Sequence, residues 1–135
     1  MITLLQKVQE FAKGRGISPQ TLRKTHSCAA YAKVGNENKP AIKFQYYENG
    51  NPVNHKLRTI DTKDFRAMVG GKQVWFNQDN VLKGLSEGRF TSVYVVEGEF
   101  DACALVECGL ENVLSLPSGS LSLNENSNRQ LEFLE

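Results

Sequence analysis

The stretch Val93-Tyr94-Val95-Val96-Glu97-Gly98-Glu99-Phe100-Asp101 contains the strongest structural signal in the chain. Its first four residues are apolar and mostly β-branched, which is typical of a strand buried on both faces of a parallel sheet. A helical pattern follows over residues 99–108 and ends at Gly109, and residues 112–116 form a second apolar run. A strand, a helix and a strand within about 26 residues predict a right-handed βαβ crossover between parallel strands.

Three carboxylates follow the first predicted strand. Glu97 stands at its carboxyl end, where binding sites lie in open parallel sheets, and Glu99 and Asp101 fall in the first turn of the helix. A carboxylate that ends an apolar strand costs desolvation unless it has a partner, and a hard divalent cation is such a partner. For Glu99 and Asp101, metal binding and simple complementation of the helix dipole both remain open. Gly98 is expected to permit a sharp turn and the close approach of a ligand.

The preceding residues predict two helices and an antiparallel hairpin. Apolar spacing favours a helix over residues 2–13, and Ser18-Pro19 is a cap signal for a short helix over residues 19–24. This pair is interpreted as an ordinary helical hairpin, with a helix-turn-helix as the alternative. Strands are expected over residues 29–33, 41–47 and 52–60, with Asn49-Gly50 as the hairpin turn. A short strand over residues 73–76 and a short helix over residues 80–85 complete this part.

Charge is divided unequally along the chain. Residues 1–72 carry 13 basic and 5 acidic residues, a net of +8, and residues 73–135 carry 3 basic and 10 acidic residues, a net of −7. Strand alternation puts Lys56 and Arg58 on one face of the hairpin, with Lys43 on the partner strand and Lys63 just beyond. These cations could hold the phosphates of a polyanion, or form a solvated face whose lysines protect a sheet edge. Charge alone leaves both interpretations open.

Composition excludes several classes of protein. With 40% hydrophobic and 23% charged residues, the chain is globular rather than disordered. No apolar run approaches the roughly 18 residues that a membrane span needs, and the N-terminus lacks the pattern of a signal peptide. The three cysteines have no CxxC spacing, which argues against a disulfide framework or a zinc site. We therefore expect no membrane partner and a reducing, cytoplasmic location.

The last unit resembles the first half of a TOPRIM domain, the metal-binding module of topoisomerases and DNA primases. The resemblance lies in the apolar strand, the Glu97-Gly98-x-x-Asp101 turn and the later Ser115-Leu116-Pro117-x-Gly119 loop, and it covers about residues 90–120. It implies that Glu97 acts as a metal ligand or as a general acid or base. It also implies that Glu99 and Asp101 help Glu97 to hold Mg²⁺ or Mn²⁺, with Gly98 and Gly119 as motif glycines.

The residues before this unit resemble the basic subdomain that precedes TOPRIM in primases, in an order most similar to phage-type primase–helicases and their mitochondrial relative. The matching segments include Gly16-Ile17-Ser18, Ile42-Lys43-Phe44, Val53-Asn54-x-Lys56-x-Arg58 and Trp75-Phe76-Asn77. In that family the subdomain helps to hold template and nucleoside triphosphate. The role carries over to Lys56, Arg58 and Lys63, with Lys43 extending the basic surface.

Aromatic residues of the hairpin allow two interpretations. Phe44, Tyr46 and Tyr47 could stack on single-stranded bases, or they could fill the core of the sheet. The core is the preferred interpretation for Phe44 and Tyr46.

The expected fold is an α+β N-terminal subdomain with an antiparallel β-hairpin over residues 1–88, followed by an α/β (βαβ) part of a TOPRIM parallel sheet over residues 89–135. The family's second acidic motif, Asp-x-Asp, does not occur in the sequence, and neither does a zinc-binding module or a Walker-type loop. We therefore expect a truncated piece of a larger enzyme, with an incomplete metal site and no primer synthesis of its own. A helix is predicted over residues 123–135.

The resemblance implies that the intact protein is a DNA primase, a magnesium-dependent nucleotidyltransferase that makes RNA primers in DNA replication. Its implied partners are a single-stranded DNA template, nucleoside triphosphates and a fused or separate replicative helicase. Two alternatives remain. One is another TOPRIM enzyme, such as a nuclease or a recombination protein, although those lack the upstream Lys-x-Arg hairpin. The other is a non-catalytic nucleic-acid-binding module with a decayed TOPRIM half.

Overall fold

The structure is a computed structural model that describes residues 1–117, and these residues form an α+β fold with two separate sheets. The first four strands along the chain form an antiparallel sheet in sequence order, and the last two strands form a parallel pair. The predicted fold class is confirmed. Gly119 and the helix predicted over residues 123–135 lie outside the described residues. The elements are α1 (Leu4–Gly14), α2 (Pro19–Lys24), β1 (Ser27–Val34), β2 (Glu37–Glu48), β3 (Asn51–Thr59), β4 (Phe65–Ala67), α3 (Gln78–Ser86), β5 (Tyr94–Val96), α4 (Glu99–Glu107) and β6 (Val113–Ser115).

Local sequence signals fix the N-terminal helices. Thr3 and Gln6 form a reciprocal capping box at the start of α1. Ser18 caps α2 by accepting a hydrogen bond from the Thr21 backbone N–H, and Pro19 occupies the first helical position. Both helices therefore begin where their cap residues predict.

The hairpin between β2 and β3 turns at the predicted dipeptide. Asn49 and Gly50 both have positive φ, at 53° and 82°, which is the backbone that a tight hairpin turn with the right-handed twist requires. The carboxylate of Asp79 on α3 accepts hydrogen bonds from both of their backbone N–H groups, at 3.0 and 2.8 Å. The conformation of the turn thus follows from its own residues, and hydrogen bonds to Asp79 hold it against α3.

Within residues 1–117, one predicted strand is absent, and one observed strand has no counterpart in the predictions. Residues 73–76 do not form a strand, and only Phe76 makes a β-bridge, to Ser115. The reason is that Trp75 and Phe76 are apolar because they fill the core, where both side chains are fully buried, and not because they pair in a sheet. Asn77, with φ of 69°, then turns the chain into α3. Conversely, β4 was not predicted, because its three residues are all exposed and only pairing with β3 orders them.

The strand β5 is less buried than its sequence predicts. Tyr94 and Val95 are 49% and 43% exposed, whereas all three residues of β6 are fully buried. Within residues 1–117, β6 lies between β5 and the bridging Phe76, so β5 forms the edge of this small sheet. The expectation of a strand covered on both faces is therefore corrected for the part of the chain that the structure describes.

A continuous hydrophobic core joins the two sheets. Phe44 and Tyr46 of β2 are 1% and 2% exposed, which confirms that they are core residues and not stacking platforms. The core includes residues on both sides of residue 88, where the boundary between the two domains is predicted. The position of that boundary stays a prediction. No helix within residues 1–117 combines the length and apolarity of a membrane span. The core cluster comprises Val8, Ala12, Ile17, Leu22, Ile42, Phe44, Tyr46, Val74, Phe76, Ala102, Cys103, Val106 and Val113.

Candidate functional site

A cavity of about 290 Å³ opens where β3 meets the N-terminus of α4. Strand pairing and core packing bring the basic hairpin to the acidic turn, although the two lie far apart in sequence. Seven of the nine residues predicted for the site line this cavity. The complete lining is Arg15, Phe44, Lys56, Arg58, Lys63, Phe65, Glu97, Gly98, Glu99, Phe100 and Asp101. We name this space the charged cavity.

A second, wider groove has a different character. It measures about 650 Å³ and lies between α1, the start of α2 and the end of α4. Its lining is largely apolar surface, and it contains none of the predicted site residues. The smaller charged cavity is therefore the better candidate, because opposite charges converge there.

The acidic turn at the mouth of the charged cavity has an ordinary backbone. Gly98 precedes α4 with φ of −131° and ψ of 164°, an extended conformation that any residue can adopt. The turn that Gly98 was expected to permit therefore does not depend on a glycine conformation at this position. A Cβ atom at Gly98 would stand 3.7 Å from Oδ2 of Asp101, an ordinary contact. The other predicted role of Gly98, to let a ligand come close to the backbone, stays a prediction.

Glu99 is buried in an ion pair. The Lys56 ammonium donates to both carboxylate oxygens of Glu99, at 2.7 and 3.1 Å, and the two side chains are only 21% and 5% exposed for lysine and glutamate. The nearby Tyr46 hydroxyl is buried close to the Glu99 carboxylate. Burial, the negative charge of Glu99 and hydrogen bonding to its carboxylate raise the pKa of Tyr46 far above its usual range. Tyr46 therefore stays neutral beside the pair.

The three carboxylates do not act as one metal cluster. In the part of the chain from Met1 to Pro117, no three His, Cys, Asp or Glu side chains lie together in a way that could hold a metal ion. Glu99 fits the predicted ligand role less well than its two neighbours, because Lys56 donates to both of its oxygens and its side chain is only 5% exposed. Glu97 and Asp101 are exposed at the charged cavity. They fit Mg²⁺, which takes one or two protein carboxylates together with substrate phosphates.

Arg58 is a buried cation without a carboxylate partner in the described residues. Its residue is 6% exposed, its Nη1 donates to the Thr59 carbonyl at 2.8 Å, and its Nε has no partner there. The guanidinium stands 5.1 Å from the ring centre of Phe11 and 5.5 Å from that of Phe100. Burial and the like charge of Arg15 lower the pKa of Arg58. A buried guanidinium without a paired anion is energetically unfavourable, so binding of an anion at Arg58 would be favourable.

Arg15 is a site residue that sequence reasoning missed. It follows α1, and its guanidinium lies 4.3 Å from the ring centre of Phe100, over the same two rings as Arg58. Neither Arg15 nor Lys63 forms an ion pair within the described residues. The only signal was that Arg15 immediately precedes the Gly16-Ile17-Ser18 segment of the resemblance. The charged cavity therefore presents three cations without carboxylate partners.

Lys43 lies apart from the other predicted cations. It pairs with Leu57 in the sheet, so its side chain points to the face opposite Phe44 and Lys56. There its charge, after burial, contributes to lowering the pKa of His55. The solvated-face interpretation thus suits Lys43, but it fails for Lys56 and Arg58, which are packed against α4 and the core aromatics.

The fold matches solved structures of bacterial-type DNA primases. The zinc-binding and RNA polymerase domains of Aquifex aeolicus primase superpose with a TM-score of 0.71 at 17% identity, covering 95% of this chain and 40% of that one. The Escherichia coli primase catalytic core gives 0.70 at 11% identity, covering 97% and 53%. A DnaG primase catalytic domain bound to single-stranded DNA gives 0.68 at 11% identity, covering 97% and 53%.

Two proteins of Arabidopsis thaliana are similar in sequence. The "Primase homolog protein" is 30% identical over 118 residues, which is 87% of this chain and 32% of that protein. The "Twinkle homolog protein, chloroplastic/mitochondrial" is 29% identical over 117 residues, or 87% of this chain and 15% of that protein. The chain thus spans less than a third of each relative and about half of the matched primase cores. No family model matches it.

Proposed function

Because the chain has a primase-type fold, we propose that it is the part of a DNA primase that holds template and nucleoside triphosphate beside the first carboxylates of a metal site. The proposal rests on the charged cavity, where Arg58 and Lys63 face the same space as Glu97 and Asp101. Cations bind phosphate oxygens and carboxylates bind hard divalent metals. A complex of a divalent metal with a triphosphate is the ligand whose charges match both sets.

The residues of the charged cavity divide into two roles. Glu97 and Asp101 would hold Mg²⁺ or Mn²⁺, and the metal would supply electrostatic stabilisation for attack of a 3′-hydroxyl on an α-phosphate. Arg15, Arg58 and Lys63 would neutralise the phosphates of the nucleotide or the template, and the guanidiniums can do so with two parallel hydrogen bonds. The burial of Arg58 strengthens its interaction with a phosphate, whereas Arg15 and Lys63 are exposed.

The proposed template is single-stranded DNA crossing the basic half of the chain. Phe65 lines the charged cavity and is 49% exposed, so its ring is available for stacking on a base, unlike the buried Phe44 and Tyr46. The similarity to a DnaG primase catalytic domain whose structure was solved bound to single-stranded DNA supports this partner. A fused or separate replicative helicase is the further partner that the resemblance to primase–helicases suggests.

A triphosphate titration tests the proposal. A fluorescent ATP analogue is titrated into the chain with MgCl₂ and, separately, with EDTA. We expect the dissociation constant to be at least about fivefold lower with Mg²⁺, a difference of about 1 kcal/mol, because the carboxylates repel a metal-free triphosphate. Glu97→Gln should remove this difference.

The matched control is Glu10→Gln, which neutralises an exposed carboxylate of α1 outside the charged cavity. It should leave the magnesium effect intact. Equal affinity in Mg²⁺ and EDTA, or an equal response of both variants, would contradict the role of the charged cavity. Oligonucleotide binding without any triphosphate binding would favour the non-catalytic nucleic-acid-binding module instead.

A further inference from the structure

The buried pair of Lys56 and Glu99 separates Glu99 from the two carboxylates beside it. We propose that Glu99 is a positioning residue for Lys56 and not a metal ligand: it holds the ammonium group in the wall of the charged cavity, ready for a phosphate. The assignment of phosphate as the ligand rests on the proposed function. The assignment of Glu99 rests on the geometry of the pair alone.

The hydrogen bonds of the pair leave one donor free. A lysine ammonium has three N–H donors, and two point at Oε1 and Oε2 of Glu99, at 2.7 and 3.1 Å. Within residues 1–117 the third makes no hydrogen bond, and Lys56 lines the charged cavity. An otherwise flexible side chain is therefore fixed with a single open donor, as recognition of a phosphate oxygen at a defined point requires.

The neighbouring cations explain why such an anchor is needed. Arg15, Arg58 and Lys63 line the same cavity without carboxylate partners in the described residues, so their positive charges repel the Lys56 ammonium. Glu99, 5% exposed at the start of α4, counters this repulsion from the inner side. Glu97 and Asp101, two residues away on either side, are exposed and stay available. Alternation along the turn thus gives three carboxylates two different environments.

The same geometry disfavours a metal on Glu99. A metal ion on its oxygens would either stand beside the like charge of the Lys56 ammonium, at a carboxylate that is only 5% exposed, or displace the ammonium and leave Lys56 without its partner. Removing one partner of a buried ion pair is strongly unfavourable, because the remaining charge is not compensated. Lys56 and Glu99 therefore behave as one unit, in which the glutamate sets the place of the lysine.

The first test follows the Lys56 ammonium in the unaltered chain. Lysine NH₃⁺ groups held in hydrogen bonds give ¹H–¹⁵N signals, and the signal of Lys56 is assigned by its loss in Lys56→Arg. We expect this signal to persist when MgCl₂ alone is added and to shift when MgATP is added. Loss of the signal on adding MgCl₂ alone would show that metal competes for Glu99 and would overturn the proposal.

The second test separates the carboxylates by metal affinity. In Glu99→Gln, we expect the Mn²⁺ dissociation constant to stay within about twofold, while affinity for the ATP analogue falls about fivefold and the Lys56 signal is lost. A tenfold weaker Mn²⁺ affinity with an intact Lys56 signal would overturn the proposal. Glu99→Asp, which keeps the charge but shortens the reach, should restore part of the triphosphate affinity.

Two comparisons keep the outcomes distinct. If Glu97→Gln leaves Mn²⁺ affinity unchanged and ATP does not bind to the unaltered chain, the proposed function fails, while the Lys56 signal still decides the pairing. If Glu99→Gln does not fold, the double variant Lys56→Met/Glu99→Gln removes both charges together. Its recovery of folding supports the paired unit, whereas failure to recover argues that Glu99 acts independently of Lys56.

Discussion

Lys13 and Arg15, at the end of α1, carry the same charge but face different surroundings. Arg15 lies over the Phe100 ring in the charged cavity, whereas Lys13 lines the separate wide groove. This difference makes the two residues a matched pair for testing where nucleic acid binds, because each alanine variant removes one positive charge from the same short segment.

Arg15→Ala should weaken binding of a labelled single-stranded oligonucleotide and reduce its salt dependence. Loss of one phosphate contact lowers the slope of log affinity against log salt by about 0.7 for single strands. The free energy of unfolding should fall by no more than about 1 kcal/mol, the value of an exposed cation–π contact. Fluorescence anisotropy at several salt concentrations measures the slope. If Lys13→Ala lowers the slope equally, net charge and not the charged cavity determines binding.

Site residues were predictable where the rule is local. Side-chain alternation along a strand predicts that Lys56 and Arg58 lie on the same face. The location of binding sites at the carboxyl ends of parallel strands indicates Glu97. The rules could not tell which of three nearby carboxylates is buried, because Lys56 on β3 reaches Glu99 on α4 across a long stretch of sequence. Arg15 escaped for the same reason: its place depends on α1 packing beside β3 and α4, which no short-range pattern reports.

At the scale of elements, one carboxylate joins two helices. Glu107, at the end of α4, accepts hydrogen bonds from the Ser18 backbone N–H at 2.6 Å and from the hydroxyls of Ser18 and Thr21, both at 3.1 Å. Ser18 is itself the cap of α2. The start of α2 and the end of α4 are therefore held together by a group that can be titrated.

Stability should depend on pH through Glu107. Hydrogen bonds from Ser18 lower the pKa of Glu107 below its usual 4.5 in the folded chain. The unfolded chain then binds this proton more readily, so the stabilisation is complete above the ordinary pKa and is lost as pH falls through the lower, folded value. The urea midpoint of the unaltered chain should exceed that of Glu107→Gln at neutral pH, and the gap should close in acid.

The control for this experiment is Glu10→Gln, which alters an exposed carboxylate on α1. It should give the same difference from the unaltered chain at neutral and acidic pH. A gap for Glu107→Gln that persists unchanged in acid would mean that its side chain contributes packing only, and that its charge has no part in holding α2.

Elements were predictable where caps and turns lie next to each other in sequence. Ser18-Pro19 favours the start of a helix, and Asn49-Gly50 favours the positive φ angles of a tight turn. The structure has α2 and the hairpin turn at these positions. Apolar content reports a preference for burial but not its partner. That is why the sequence predicts a strand over residues 73–76 and a β5 covered on both faces, and why the described part of the chain shows neither.

At the scale of the whole molecule, two apolar clusters meet in one short segment. Phe76 belongs to the core that joins α1, β2, α4 and β6, while the adjacent Trp75 packs in a second cluster with Val81, Leu114 and Leu116. Residues neighbouring in sequence thus contribute to both clusters. Disrupting the packing of either cluster should therefore destabilise the other. We expect the described part of the chain to unfold as one unit.

Each cluster contains a natural probe of this cooperativity. Trp75 is the single tryptophan of the sequence and is fully buried in the second cluster. Cys103, buried in the first, has its pKa raised to about 11 by burial, so it should resist thiol reagents while the protein is folded. Cys28 and Cys108 are exposed, and replacing both by serine leaves Cys103 as the only thiol.

Urea unfolding of this Cys28→Ser/Cys108→Ser chain should give one midpoint from Trp75 fluorescence and from the urea dependence of Cys103 labelling. The two probes coincide because the segment at residues 75–76 is packed into both clusters and cannot leave one of them alone. Single-cysteine chains that retain Cys28 provide the control, since an exposed thiol should react at every urea concentration. Labelling of Cys103 at clearly lower urea than the fluorescence change would instead show that the α4 region opens independently, and that α4 can separate from β3 at the charged cavity without global unfolding.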